Sequence, residues 1–97
     1  MRIISGINKG RKIQAPKNLP VRPTTDQSKE ALFNIISNDY DLSKISILDL
    51  FSGTGNISYE FFSRGTKNIT CVDLNGRCIN FIKSISNNLS FNLKIIK

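Results

Sequence analysis

The stretch ISILDLFSGTG, residues 45–55, decides the fold of this chain. Its first seven residues are β-branched or leucine-rich, which is typical of a strand buried inside a parallel sheet. Asp49 lies near the end of that strand, and Gly53 and Gly55 follow it. Open α/β sheets bind ligands at the carboxyl ends of their strands, and glycine lets a ligand approach the backbone closely. The stretch therefore predicts a cofactor site, although Gly-x-Gly alone would equally fit a tight turn.

Strand and helix patterns alternate from residue 45 to the end of the chain. A helical stretch over residues 56–64 precedes a second strand at 68–73. An amphipathic helix follows, and a third strand begins within residues 93–97. Two successive β-α units imply right-handed crossovers, so we predict an α/β fold with a parallel sheet and helices on both faces.

A second acidic residue narrows the choice of cofactor. Asp73 ends the second strand, 18 residues after Gly55, which is close to the ~20 residues at which an acid meets a ribose in nucleotide-binding folds. The dinucleotide fingerprint needs a third glycine where this chain has Ser58. A carboxylate at Asp49 suits the positively charged amino acid portion of S-adenosylmethionine. We therefore favour that cofactor over a nicotinamide dinucleotide.

The first 23 residues carry a concentrated positive charge. The net charge of the chain is +7, and six cations precede the first acid, Asp26. They are Arg2, Lys9, Arg11, Lys12, Lys17 and Arg22. Such a charge favours a polyanionic partner such as RNA, while a merely solvated surface stays as the alternative. Glycine and proline positions predict a basic β-hairpin and an extended tether over 1–23, ahead of an α/β domain over 24–97.

A helix is predicted to begin after residue 23. Thr24 and Gln27 fit a capping box. Ala31, Leu32, Ile35 and Ile36 recur at helical spacing and predict the face that docks on the rest of the molecule, and Phe33 widens this face.

Composition excludes several classes of protein. No apolar run approaches the ~18 residues of a membrane span, and the N-terminus lacks the apolar segment of a signal peptide, so we expect a cytoplasmic protein without a membrane partner. The chain has no histidine, and Cys71 and Cys78 lack metal-ligand spacing. We expect buried thiols and no metal site.

Five stretches carry a resemblance to a known family. They are MRIISG (1–6), KGR (9–11), RPTTD (22–26), KEALFN (29–34) and LDLFSGTG (48–55). Together, and in this order, they resemble the bacterial 16S ribosomal RNA guanine-N2 methyltransferase family over nearly the whole chain. The resemblance implies the N-terminal part of a Rossmann-like S-adenosylmethionine methyltransferase fold, preceded by the basic β-hairpin.

The resemblance also implies an activity and a set of site residues. The reaction is methyl transfer to the exocyclic N2 of a guanine, and the partner is 16S ribosomal RNA or the small ribosomal subunit, bound through the six cations. Asp73 is expected to meet the ribose and Leu74 to flank the adenine. The remaining cofactor residues are expected to be Asp49, Phe51, Ser52, Gly53, Thr54 and Gly55.

One departure from the family pattern limits this expectation. Family members carry an Asn/Asp-Pro-Pro-Tyr/Phe motif after a fourth strand, and this chain has no Pro-Pro pair. We therefore assign no catalytic residue and expect a fragment that does not methylate RNA by itself. Two other functions stay open, a non-catalytic cofactor- or RNA-binding module and, less favoured, a nicotinamide-dependent half-domain. An unpaired sheet edge also predicts self-association, which a monomeric mass by light scattering would contradict.

Overall fold

The computed structural model describes residues 1–22 and 24–97. Pro23, which belongs to the predicted tether, lies outside them. The described elements are α1 (Asp26–Asp39), β1 (Ser46–Leu50), α2 (Asn56–Ser63), β2 (Asn68–Val72), α3 (Gly76–Leu89) and β3 (Lys94–Ile96). The strands form one parallel sheet in the order β1-β2-β3. The predicted α/β fold is confirmed.

The register of the sheet brings the strand ends together. Asp49 of β1 lies opposite Cys71 of β2, and Leu50 lies opposite Val72. Both strands run in the same direction, so Asp49 and Asp73, which directly follows β2, belong to the same edge of the sheet.

The hydrophobic core lies on one face of this sheet. Ile69 and Cys71 of β2 belong to this core. The helices contribute Phe33, Tyr59, Phe61 and Ile82 to the same cluster. The opposite face carries Leu48, Leu50 and Ile96, which are 63%, 57% and 47% exposed. The sequence predicts helices on both faces of the sheet. In the structure, the described helices make their core contacts on one face.

The N-cap of helix α1 lies one residue later than predicted, and part of the predicted inward face is exposed. Thr25, not Thr24, caps it, because its hydroxyl accepts a hydrogen bond from the amide of Ser28 at 3.2 Å. The buried residues are Lys29 and Phe33. The predicted docking face is wrong at Leu32 and Ile35, whose side chains are 42% and 64% exposed. It is right at Phe33, which is fully buried, and at Ile36, which packs against the core cluster. A buried ion pair of Lys29, described below, sets this orientation.

The N-terminal hairpin is packed against the rest of the molecule. Its two predicted strands are reduced to one antiparallel bridge between Arg2 and Lys12. Ile3 and Ile13 are 1% and 4% exposed and belong to the core cluster. The division into two parts at residue 23 stays a prediction.

Two further findings concern membrane-spanning helices and the two cysteines. Within the described ranges, no helix is long and apolar enough to span a membrane. Cys71 and Cys78 are buried free thiols, as predicted.

Candidate functional site

The loop between β1 and α2 holds three residues in the left-handed region of backbone space. Phe51, Gly53 and Gly55 have φ values of +57°, +58° and +83°. Glycine adopts this region freely, whereas a phenylalanine there is strained. Strain of this kind clusters at functional sites. Gly55 is also the N-cap of α2. Because glycine has no side chain, it does not cap the first backbone amides of this helix.

Hydrogen bonds tie this loop to the end of β2. The amide of Ser52 donates to the carbonyl of Val72 at 2.9 Å, and the Ser52 hydroxyl accepts from the amide of Val72 at 3.0 Å. The Asp73 carboxylate accepts from the amide of Gly53 at 2.8 Å and from that of Asn75 at 2.8 Å. Asp73 thus touches the glycine loop directly, and the two strand ends form one site.

Asp49 lies beneath the same loop. Its Oδ2 accepts a hydrogen bond from the Ser58 hydroxyl at 2.6 Å, and the Ser58 oxygen in turn accepts from the Cys71 thiol at 3.1 Å. Burial raises the pKa of the Asp49 carboxyl above its ordinary value, hydrogen bonds from Ser58 and Ser52 oppose the rise, and the charge of Asp73 adds to it. A cation placed here would stabilise the ionised form and be bound by it.

Two side chains outside the predicted set contact the glycines. A Cβ at Gly55 would lie 2.6 Å from the Tyr59 hydroxyl, so only glycine fits above this buried ring. The Tyr59 hydroxyl has no hydrogen-bond partner within the described ranges, and burial raises its pKa. A Cβ at Gly53 would lie 3.4 Å from Cγ2 of Val21, which places the tether against the loop. The sequence held no signal for the Val21 contact, because it joins residues that are distant in the chain.

The remaining predicted cofactor residues differ in exposure. Thr54 is buried and Ser52 is half-buried. Phe51 and Leu74 are 83% and 81% exposed. Each of these two follows a strand end, so large apolar side chains stand in solvent beside both carboxylates.

A buried polar cluster, which we define as Lys29, Asn56 and Glu60, supports the loop from below. The Lys29 ammonium lies 3.2 Å from Glu60 Oε1, and both side chains are fully buried. It also donates to Asn56 Oδ1 at 2.8 Å and to the carbonyl of Arg2 at 2.6 Å. Asn56 is the first residue of α2, directly after Gly55. A lysine and a glutamate among apolar residues of two helices were the only sequence signal for this cluster.

Glu60 anchors the N-terminal hairpin. Its carboxylate accepts hydrogen bonds from the amides of Ile4 at 2.9 Å and Ser5 at 3.1 Å, and from Arg64 Nε at 2.7 Å. Burial alone would raise the pKa of Glu60, but these bonds and the charge of Lys29 lower it below its ordinary value. The carboxylate is therefore held ionised, which offsets the cost of burying the Lys29 charge.

The six predicted RNA-binding cations are all exposed. Arg2 is held near Asp26, with Nε 3.7 Å from a carboxylate oxygen. Four of the six line one cavity, whereas Lys9 and Arg11 do not.

Comparison with known proteins identifies the family. The family model described as Conserved hypothetical protein 95 matches residues 1–97, the whole of the chain. The chain belongs to that family. The family relationship predicted from the five stretches is confirmed, because curated relatives of this chain include ribosomal RNA methyltransferases.

Two relatives illustrate the similarity. The chain is 42% identical over 84 residues to "Putative rRNA methyltransferase YlbH" of Bacillus subtilis (strain 168), covering 87% of this chain and 45% of the relative. It is 38% identical over 98 residues to "Ribosomal RNA small subunit methyltransferase D" of Buchnera aphidicola subsp. Baizongia pistaciae, covering 100% of this chain and 50% of the relative. The chain thus spans about half the length of the curated family relatives it matches.

A solved structure shares the fold of this family member. The structure of "Putative methyltransferase yhhF from Escherichia coli" superimposes with a TM-score of 0.83 at 27% identity, over 99% of this chain and 51% of that chain.

Proposed function

We propose that this chain is the cofactor-binding, N-terminal part of an enzyme that transfers a methyl group from S-adenosylmethionine to the exocyclic N2 of a guanine in 16S ribosomal RNA. The observation that carries the proposal is the meeting of Asp49 and Asp73 at one glycine loop. The names of the relatives support methyl transfer to ribosomal RNA. The choice of the guanine N2 rests on the family resemblance.

The residues of the loop fit S-adenosylmethionine. The half-buried Asp49 carboxylate suits the positively charged amino acid portion of the cofactor, since burial strengthens its attraction for a cation. At Gly55 the Tyr59 ring packs where a Cβ would lie, and the left-handed backbone there, which glycine adopts freely, sets the shape of the loop that the cofactor would meet. Asp73 already accepts two amides, but a carboxylate has about four acceptor positions, so it can also accept from ribose hydroxyls.

The other predicted residues complete the site. Ser52 and Thr54, together with the Gly53 backbone, are proposed to line the methionine portion, and the exposed Phe51 and Leu74 offer apolar surface to the adenine side. When bound, S-adenosylmethionine supplies a methyl group on a sulfonium. The contribution of this chain is to bind and orient that donor.

The partner and place of action follow from the proposed substrate. The six exposed cations of the hairpin and tether are proposed to hold the phosphates of 16S ribosomal RNA or of the small subunit. We propose that the protein acts in the cytoplasm. The Asn/Asp-Pro-Pro-Tyr/Phe motif is absent from these 97 residues. Methyl transfer is therefore proposed for a longer protein that includes this chain, and the predicted self-association stays a prediction.

Calorimetric titration of the chain tests the cofactor assignment. We expect heat of binding with S-adenosylmethionine or its demethylated product and none with NAD. Asp73→Asn should weaken binding about tenfold or more, because hydrogen bonds to a charged group contribute roughly 1.5–3 kcal/mol. Asp39→Asn, which makes the same charge change at an exposed residue of α1, is the control. Unchanged binding by Asp73→Asn, or tighter binding of NAD, would contradict the proposal.

A further inference from the structure

A surface cavity of about 760 Å³ lies between the hairpin and the segment that leads to α1. Four of the six predicted RNA-binding cations, Arg2, Lys12, Lys17 and Arg22, line it together with a single acid, Asp26. A volume of this order falls in the range of roughly 300–1,000 Å³ typical of small-molecule sites. The cavity is therefore large enough for a nucleotide.

The charges in this cavity are unevenly paired. Asp26 is engaged by Arg2 through the backbone amide at 3.3 Å and through Nε at 3.7 Å. Lys12, Lys17 and Arg22 take part in none of the salt bridges among residues 1–22 and 24–97. Three cations thus remain available to an anion inside one concave surface, where their fields add.

The cavity also has an apolar wall. Ile13, Ala15, Pro16 and Val21 contribute to its lining. Val21 is the residue that packs against Gly53 of the glycine loop. Basic edges around an apolar surface suit a ribose and base flanked by phosphates, and the shared Val21 places this surface next to the cofactor loop.

We propose that this cavity binds an unpaired nucleotide of RNA, with its flanking phosphates held by Lys12, Lys17 and Arg22. This proposal rests on the RNA substrate of the proposed function. It adds where the RNA binds and that the bound nucleotide is single-stranded. An unpaired nucleotide can enter a cavity between two chain segments, whereas a duplex presents its phosphates on a convex surface and is read across its minor groove. Lys9 and Arg11, outside the cavity, contribute less.

Salt dependence of RNA binding tests the location. The probe is a fluorescein-labelled single-stranded RNA of about ten nucleotides, within the range of ~4–16 nucleotides that single-strand sites cover, followed by anisotropy against salt concentration. Each lost phosphate contact lowers the slope of log K against log salt by about 0.7 for a single strand. The double variant Lys12→Gln/Arg22→Gln should therefore lower the slope by roughly 1.4. The control Lys67→Gln/Lys83→Gln removes the same charge from exposed positions outside the cavity and should leave the slope unchanged.

A variant that removes a negative charge from the cavity, and so should strengthen RNA binding, gives a second readout. Asp26→Asn removes the one acid of the cavity and should strengthen RNA binding, whereas Asp39→Asn should leave it unchanged. Circular dichroism of each variant verifies its fold. Weaker or equal binding by Asp26→Asn would overturn the assignment of the cavity.

The outcomes separate this proposal from the proposed function. Equal loss of slope in the cavity and control variants would overturn the cavity while leaving RNA as the partner. Tighter binding of a duplex of the same length would overturn the unpaired state. Absence of RNA binding by a chain that binds S-adenosylmethionine would overturn the cavity and the RNA contact together, and leave the cofactor assignment intact.

Discussion

Alanine at Gly55 tests whether the glycine loop, the proposed cofactor site, depends on contact with the core beneath it. Gly55 has a φ of +83°, and an added Cβ would lie 2.6 Å from both Cζ and Oη of Tyr59. The Tyr59 ring cannot withdraw easily, because it is fully buried and packs on Phe91 with 5.4 Å between ring centroids. The loop itself must therefore move, and Asp49 and Asp73 would lose their common geometry.

Gly65 provides a matched control just beyond the other end of the same helix. Its φ is +106°, and an added Cβ would meet no atom of residues 1–22 or 24–97 within 4 Å. Alanine in the left-handed region costs about 1–2 kcal/mol at either glycine. Overpacking adds about 1–3 kcal/mol at Gly55 alone. We expect Gly55→Ala to lower the free energy of unfolding by about 2–5 kcal/mol and Gly65→Ala by about 1–2 kcal/mol.

The assay has two parts. Urea unfolding followed by circular dichroism measures the free energy of unfolding, and calorimetric titration measures the affinity for S-adenosylmethionine. Gly55→Ala should lose most of this affinity at a temperature where it is still folded, and Gly65→Ala should keep it. Equal destabilisation of the two variants, or wild-type affinity in Gly55→Ala, would refute the reasoning that the Tyr59 contact shapes the loop.

Two further predictions concern the anchoring of the hairpin. Gly6→Ala places a Cβ 1.9 Å from the Ser63 carbonyl oxygen and should destabilise the chain by about 2–4 kcal/mol through backbone strain and lost hydrogen bonds. The control Gly10→Ala, whose Cβ meets no described atom within 4 Å, should cost about 1–2 kcal/mol. Equal losses of the free energy of unfolding in urea would show that the contact between Gly6 and α2 is unimportant. Because the folded pKa of Glu60 is lowered, the stabilisation by its carboxylate is complete above the unfolded pKa of about 4.5 and is lost as the pH falls through the folded pKa. Glu60→Gln should cost about 3–5 kcal/mol at neutral pH by leaving Lys29 buried without its partner, and it should flatten the fall in stability at acid pH. Parallel stability curves for wild type and variant would argue against this ion pair.

The strands and the glycine loop could be predicted because their signals are local. Residues 45–51 and 68–73 were predicted as strands, and β1 and β2 lie within those ranges. Short β-branched runs bounded by glycine and polar residues carry this information without reference to the rest of the chain. Asp49 and Asp73 follow from the same logic, since parallel strands end at one edge.

The orientation of α1 could not be predicted in this way. A lysine is normally assigned to the solvent side of a helix, so the pattern favoured Leu32 and Ile35 as the buried face. Lys29 is buried because Glu60, 31 residues further along the chain, supplies a carboxylate inside the core. Only the tertiary structure brings that partner to it, and the helix rotates accordingly.

The Lys29, Asn56 and Glu60 cluster connects the hairpin to the helix that follows the glycine loop. Glu60 binds the amides of Ile4 and Ser5 in the hairpin, while Asn56 begins the helix that follows the glycine loop and donates to the carbonyl of Thr24 at 2.8 Å. The hairpin is thus bonded to Glu60 of α2, and the glycine loop leads into the same helix one turn earlier, at Asn56. Separating the hairpin from α2 would remove both amide hydrogen bonds to the ionised Glu60 carboxylate, and hydrogen bonds to charged groups contribute roughly 1.5–3 kcal/mol each. We therefore expect the hairpin to keep a fixed position relative to the glycine loop, and we propose that the fold, not closure of a flexible arm, aligns RNA with the methyl donor.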